Sequence, residues 1–481
     1  MRRFFLSAVL VLTVVVPSGR PLGSAAPFDV SFTADTMRVD FYQTGGRGLD
    51  VVALDRIVSD GPWPGSRTRL VDDTNLGKYL FEVIDRSSNQ VIFSRGFASL
   101  FGEWETTAEA KEVNRTFSGS LRFPWPKHPV QVVLKKRDRL NAFHEFWSTL
   151  IDPASRQVNR GRLAPIGQVW TLWESGPPES KVDLLLIGDG YTEAQLPKFH
   201  ADARRLVEHM FTLEPYKSRR SDFNVRAIDV AAAESGIHNP RTGDMRRSRV
   251  GTEYNIFDSE RYALAPDNRA WRDIASAAPY DTVEMLINNS YYGGGGIFSD
   301  HATVAVDSGS AEYIFVHEFG HHFAGLGDEY YTSDVAYETG AEEKVEPWEP
   351  NVTALHDPAA LKWRDLVEPG TPLPTPWDKA AYEKRSAEIQ AERRRLRAAG
   401  APEPAMDALF AQQREFESKF LATMRYSGKV GAFEGASYEP TGLYRPEADC
   451  IMFSRDPVGF CRVCRRAIER VIDLQAGRAG R

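Results

Sequence analysis

Residues 317–331 read HEFGHHFAGLGDEYY, and the apolar run Tyr313-Ile314-Phe315-Val316 leads into them. Within the stretch, His317-Glu318-Phe319-Gly320-His321 has the spacing H-E-x-x-H. On a helix, positions i and i+4 share a face, so both imidazoles can point at one zinc ion while Glu318 reaches a water on that metal. Zinc lowers the pKa of such a water towards neutrality, and a glutamate can take its proton and pass it to a leaving amine. The stretch predicts a buried helix that carries peptide hydrolysis, with Glu318 as general base. His322 is turned about 100° from His321 and should not share its metal.

A catalytic zinc usually has three protein ligands and an open position, so one more is required. In the pattern H-E-x-x-H-x-x-G-x-x-H a glycine ends the helix and the chain returns with a third histidine. Here Ala324 holds the glycine position, Gly325 follows, Gly327 stands where the third ligand would be, and Asp328 comes next. The two glycines can still break the helix and loop the chain round, which makes Asp328 the natural oxygen ligand. Glu329 is its rival, and Glu342 or Glu343 would suit a site completed from a later helix.

Upstream lies Tyr291-Tyr292-Gly293-Gly294-Gly295-Gly296 and then His301 to Asp307. Four glycines permit a sharp bend or close approach of another backbone, and the alternation that follows suits an edge strand able to pair with an extended peptide. Val182 to Ile187, Phe223 to Val230 and Thr282 to Ile287 read as buried strands of an α/β unit with a mostly parallel sheet. Gly188-Asp189-Gly190 lacks the spacing of a phosphate loop and reads as a tight turn. A helix is expected from about Glu193 to Phe211, with Thr192 and Gln195 placed as a capping box and Pro197 pulling its start later.

From about Pro27 to Arg160 the pattern changes to strands. Met37 to Phe41 alternates, as do Phe117, Gly119, Leu121 and Phe123, and Val130 to Leu134 adds an apolar run, which together predict a β-sandwich without a catalytic constellation. Downstream, an insertion over about 335–430 holds two helices, Trp377 to Ala398 and Ala405 to Met424, joined at Gly400-Ala401-Pro402-Glu403-Pro404. Met406, Leu409, Phe410, Phe416, Phe420 and Met424 share a face, so the expectation is a solvated hairpin packed on its own stripe.

A length of 481 residues is too great for one core. The expected organisation is multidomain, combining α+β and α/β: a signal peptide over 1–26, a β-sandwich over 27–165 and a zinc metallopeptidase domain over 170–481. The leader reading rests on Arg2 and Arg3, the short apolar core Phe4 to Val16, and Gly23-Ser24-Ala25 before cleavage at Ala26. That core is too short to cross a bilayer, so no stable membrane insertion is expected after cleavage, and the mature protein is placed outside the cytoplasm, secreted or periplasmic. A net charge of −7 argues against a nucleic-acid partner. Cys450, Cys461 and Cys464 are the only cysteines. A structural zinc site wants four ligands and no second pair exists, so a local disulfide or buried thiols is the favoured reading. Asn114, Asn288 and Asn351 head N-x-[ST] sequons.

The chain resembles the secreted zinc metallopeptidases named for the IgA-cleaving endopeptidase, which are related to the metzincins. The likeness rests on the central stretch, Lys362-Trp363, Gly431 to Ala436, Tyr444-Arg445-Pro446, Cys450-Ile451-Met452 and Phe460-Cys461-Arg462-Val463-Cys464, and spans about 170 to 475. It implies a metzincin-like fold, one catalytic zinc ion held by His317, His321 and Asp328, Glu318 as general base, and Met452 as the methionine turn beneath the metal. It further implies a bacterial source and a protein or peptide substrate, with IgA-like substrates among them. No tyrosine stands two residues after Met452, where some metzincins place one, because Ser454 is there. Tyr330, Tyr331, Tyr438 and Tyr444 read as packing aromatics. A non-catalytic binding protein or adhesin on the same fold, and an exopeptidase, are the competing functions.

Overall fold

The computed structural model describes residues 27–333, 335–337 and 344–478. The leader over 1–26 and the rival acids Glu342 and Glu343 lie outside the described residues. After a single turn, α1 (Phe28–Ser31), the chain forms β1 (Phe32–Gly46), β2 (Leu49–Pro62), β3 (Tyr79–Asp85) and β4 (Val91–Phe97). The short helix α2 (Leu100–Trp104) precedes β5 (Arg115–Pro126), β6 (Val130–Arg137), β7 (Phe143–Ile151) and β8 (Val158–Arg162). These strands make two four-stranded sheets, ordered β5-β1-β2-β8 and β4-β3-β6-β7. Alternation decides their inner faces: Met37, Val39, Phe41, Leu121 and Phe123 of the first sheet meet Phe81, Val83, Phe93, Val132 and Leu134 of the second in one core.

A six-stranded sheet follows, ordered β15-β16-β14-β10-β11-β9. It is built from β9 (Gln168–Trp173), β10 (Val182–Asp189), β11 (Phe223–Asp229), β14 (Thr282–Ile287), β15 (Gly294–Ile297) and β16 (His301–Ala305), with the short pair β12 (Glu253–Tyr254) and β13 (Ala263–Leu264) beside it. The four inner strands are parallel, and both edges, β9 and β15, are antiparallel. Leu184 and Leu186 of β10 face a core shared with α3 (Leu196–Met210) and α5 (Ala311–Ala324), whereas Leu185 and Ile187 face α4 (Asn268–Ala275). Helices therefore cover both faces, as a parallel sheet requires. The capping box of Thr192 and Gln195 is present, and Pro197 sits in the first turn of α3, where its missing N–H costs nothing.

Two expectations are corrected. The edge strand is not His301 to Asp307: β16 is an interior strand with every residue buried, and the glycine run itself forms the edge strand β15. Of the two roles open to the glycines, close approach is the one they serve, because a Cβ on Gly296 would sit 2.3 Å from the Glu318 carbonyl oxygen of α5. The hairpin α6 (Lys379–Ala398) and α7 (Glu403–Ala422) also does not pack on its own stripe. Tyr382, Met406, Phe410 and Leu421 join the core that contains α5, and the Phe410 ring lies 5.2 Å from that of Tyr292. The chain closes with β17 (Phe433–Ala436), β18 (Glu439–Arg445) and α8 (Arg462–Gln475).

The N-terminal sheets are bound tightly to the α/β part. Arg38, fully buried on β1, pairs with Asp40 at 2.9 Å and Asp60 at 2.6 Å and reaches Asp273 on α4. Arg122 donates to the Tyr280 carbonyl at 2.9 Å, and Ala98 N–H donates to the Phe298 carbonyl at 2.9 Å. The last of these bonds sets α2 against the end of β15 and hence beside the site. Among the described residues no helix is long and apolar enough to cross a membrane.

Candidate active site

Helix α5 carries the H-E-x-x-H residues across the sheet, and its sequence explains its depth. Ile314, Phe315, Val316, Phe319 and Phe323 are all buried, so the helix is apolar on nearly every side and only its cleft face bears chemistry. It stops at Gly325, whose φ of 60° is left-handed and suits glycine in the C-cap role. Asn351 then clamps the return loop. Its carboxamide oxygen accepts from Gly327 N–H at 2.8 Å, and its nitrogen donates to the Gly327 carbonyl at 2.9 Å and to Glu329 Oε1 at 2.9 Å. This asparagine heads a sequon but is fully buried and committed to the loop, so it is not a surface acceptor.

The loop delivers Asp328 to the histidines. His317 Nε2 and His321 Nε2 lie 3.1 Å apart, and Asp328 Oδ1 is 3.1 Å from the first and 3.2 Å from the second. His317 Nδ1 faces the Ile451 carbonyl at 2.9 Å, and His321 Nδ1 faces the Leu326 carbonyl at 2.5 Å. A carbonyl only accepts, so each Nδ1 carries a proton, and Nε2 is the nitrogen of each ring left to meet a cation beside Asp328. Asp328 Oδ1 has no hydrogen-bond partner among the described residues. Tyr438 donates its hydroxyl to the other oxygen, Oδ2, and orients the carboxylate.

Three lone-pair donors at this separation fit one cation, since zinc ligands at about 2.0–2.1 Å in a tetrahedral arrangement lie about 3.3 Å from one another. The electrostatics agree. Burial works against charge on His321, yet the Asp328 carboxylate pulls its pKa up to about 9. Burial would raise Asp328, but the two imidazoles hold it well below the usual carboxylate range. The cluster thus attracts positive charge. Glu329 points away from it, towards Cys461 and Cys464, and is fully buried. Of the two consecutive acids, only Asp328 turns its side chain to the histidines.

Glu318 lines the same cleft, half-buried, and burial raises its pKa above the ordinary value. Met452 is buried under α5, with its sulfur 3.1 Å from where a Cβ on Gly320 would lie, and its carbonyl accepts from Glu329 N–H at 2.8 Å. His322 is on the far side of the helix, as its offset predicts. Its Nδ1 donates to the Ile297 carbonyl at 2.9 Å, and its Nε2 accepts from Thr282 Oγ1 at 2.6 Å and from Val283 N–H at 3.2 Å.

The cleft has a volume of about 370 Å³ and opens along β15. Contributions come from distant parts of the chain: Glu103 of α2 and Thr106 after it, Arg261 and Tyr262 before β13, Tyr382 and Gln413 from the helical hairpin, and Tyr438 from the β17–β18 turn. Sequence reasoning passed over Asn351, Arg261 and the orienting role of Tyr438. The turn at Ser437 and Tyr438, both with left-handed φ of 47° and 63°, is the signal that could have marked the last of these only once the backbone was known.

Two family matches agree with this layout. Residues 170–472 match the IgA Peptidase M64 family, and residues 27–148 match the Peptidase M64 N-terminus. The chain belongs to the IgA peptidase M64 family. Membership in M64 makes it a metallopeptidase and gives it protein or peptide substrates. No curated protein matches the chain in sequence.

Proposed function

We propose that the chain is an exported, zinc-dependent endopeptidase in which His317, His321 and Asp328 hold the metal and Glu318 is the general base. The observation that supports this most is the meeting of both histidine Nε2 atoms and Asp328 Oδ1 within 3.1–3.2 Å, at the floor of the cleft that Glu318 lines. Zinc bound there supplies Lewis-acid chemistry, acidifying water and polarising a peptide carbonyl. The protein supplies the rest. The Ile451 and Leu326 carbonyls fix the imidazole tautomers, Tyr438 fixes the carboxylate, and Glu318, with its raised pKa, takes a proton from the attacking water and returns it to the leaving amine. An extended substrate lies along the β15 edge, whose glycines leave room for a main chain.

The same reading takes the two N-terminal sheets as a β-sandwich over 27–165 and the remainder as a metzincin-like domain, with Met452 as the turn beneath the metal. Residues 1–26 are the export leader, which places the enzyme outside the cytoplasm. IgA enters as a substrate to test because the family carries its name. Cleavage of an internally quenched peptide blocked at both ends tests the endopeptidase claim. Activity that survives Glu318→Gln, or that vanishes when the ends are blocked, overturns it.

One observation favours an exopeptidase as the second reading. Arg261 lines the cleft, and its Nε and Nη2 have no hydrogen-bond partner among the described residues. A guanidinium so placed suits a substrate carboxylate, whether a chain terminus or an acidic side chain. Under the exopeptidase reading, Arg261→Gln loses activity on free-acid peptides and none on their C-terminal amides. Under the endopeptidase reading both peptides are affected alike.

A further inference from the structure

The three cysteines are not scattered through a core but converge on one carboxylate. Cys450 and Cys464 have their sulfurs 3.9 Å apart, and Glu329 Oε1 lies 3.2 Å from the Cys464 sulfur and 4.0 Å from that of Cys461. One ligand atom from each of Glu329, Cys450, Cys461 and Cys464 falls within 4.8 Å of all the others, and all four residues are buried. The second oxygen of Glu329, which is 0% exposed, has no partner among the described residues. This is the fourth ligand that a count of cysteines alone could not supply.

We propose that Glu329, Cys450, Cys461 and Cys464 form a second metal site, structural rather than catalytic, for a thiophilic divalent cation of the zinc class. The spacing fits. Tetrahedral zinc with Zn–S of about 2.3 Å and Zn–O of about 2.0–2.2 Å puts sulfurs about 3.8 Å from one another and about 3.6 Å from the oxygen. The surroundings favour thiolates as well. Cys461 N–H points at the Cys450 sulfur at 3.2 Å, and Cys464 N–H points at the Cys461 sulfur at 3.4 Å. Cys461 caps α8, so the positive end of a 14-residue helix faces the cluster. Asn351 orients Glu329, as a partner behind a metal ligand does. Four protein ligands leave no open position, so the site is closed and structural. Binding releases the thiol protons to solvent.

The site ties together three segments that frame the candidate active site: the loop carrying Asp328, the turn carrying Met452, and the start of α8. The consecutive acids Asp328 and Glu329 then serve separate ions on opposite sides of one strand of chain. A local disulfide is the rival, since Cys450 and Cys464 are close enough to approach one another.

The full-length protein, purified without chelators, distinguishes these outcomes. Its zinc content should be two ions per chain, and one in Asp328→Ala. Titration of Asp328→Ala with an organomercurial in the presence of a zinc-sensitive dye should release its one zinc as three thiols are blocked. Cobalt(II) substitution adds a signature that folding defects in a cysteine variant cannot mimic. Thiolate-to-cobalt charge-transfer absorption should appear in both the wild type and Asp328→Ala, and the histidine-aspartate cluster has no sulfur to produce it. Cys461→Ser/Cys464→Ser should lose the band and bind one ion fewer. An intact mass two hydrogens below that of the reduced chain, or reduced thiols with no charge-transfer band in the wild type, would overturn the proposal. Because the thiolate band is read in the Asp328→Ala background as well, failure of the catalytic-site assignment and failure of this one are separable.

Discussion

His322 offers a sharp numerical test of how the site helix is held. Its imidazole ties α5 to β14 and β15 as a neutral ring, donating from Nδ1 to Ile297 and accepting at Nε2 from Thr282 and Val283. Protonation would set an N–H against the Val283 N–H. Burial, the main cause, pushes its pKa down to about 4 from an ordinary 6.5, despite the opposing Ile297 hydrogen bond. The folded value lies below the unfolded one, so the unfolded chain takes the proton first. The stability this ring contributes is complete above pH 6.5 and is lost as pH falls towards 4. Linkage between those two values removes about 2 kcal/mol from the folded state between pH 7 and pH 5. The assay is urea unfolding of the wild type and His322→Asn, both in excess chelator so that metal binding drops out. The variant lacks the titration, so the stability gap between the two should shrink by about 2 kcal/mol over that interval. An unchanged gap would refute the neutral, buried imidazole and with it the anchoring of α5.

Other perturbations follow from the same contacts. Gly296→Ala should destabilise the protein by about 1–3 kcal/mol and weaken zinc binding, since its Cβ would lie 2.3 Å from the Glu318 carbonyl oxygen, read by thermal unfolding and metal competition. Tyr438→Phe removes the hydroxyl that orients Asp328 and should lower zinc affinity by about 10–100-fold with the fold intact, measured by chelator titration. Arg38→Met takes one of two cations from each of Asp40 and Asp60, which keep Arg56 at 2.7 Å and Arg122 at 2.7 Å, and should cost about 1–3 kcal/mol in unfolding free energy, with wild-type metal content in the protein that remains folded. Glu318→Gln should keep its zinc and lose about 10²–10⁴ in kcat on a blocked peptide.

The central helix, its H-E-x-x-H spacing and its glycine stop were legible because they are local: 3.6-residue periodicity places His317 and His321 together and sends His322 away. The return of an acid to the histidines was legible for the same reason, since a short glycine loop has few places to go, but which of Asp328 and Glu329 approaches them was not. The parallel strands around Val182, Phe223 and Thr282 were legible as uninterrupted apolar runs. What escaped depends on distant parts of the chain. The metal reading of the cysteines was set aside for want of a second ligand pair, and the carboxylate that meets them, Glu329, is brought there by the tertiary fold. Tyr438 and Asn351 act through loops whose backbone conformation no periodicity records. The glycine run was left between a bend and a strand under close contact, because absent side chains signal both and only the helix lying on it decides which, so the edge was assigned to the strand after it.

The account rests on one cation between His317, His321 and Asp328. The measurement that bears on it most directly is an anomalous-difference map at the zinc absorption edge from crystals of cleavage-competent protein. The account predicts a peak bounded by His317 Nε2, His321 Nε2 and an Asp328 oxygen, on the cleft side where Glu318 lies. Active protein with no peak there, or with the peak held by a different acid in place of Asp328, would contradict it.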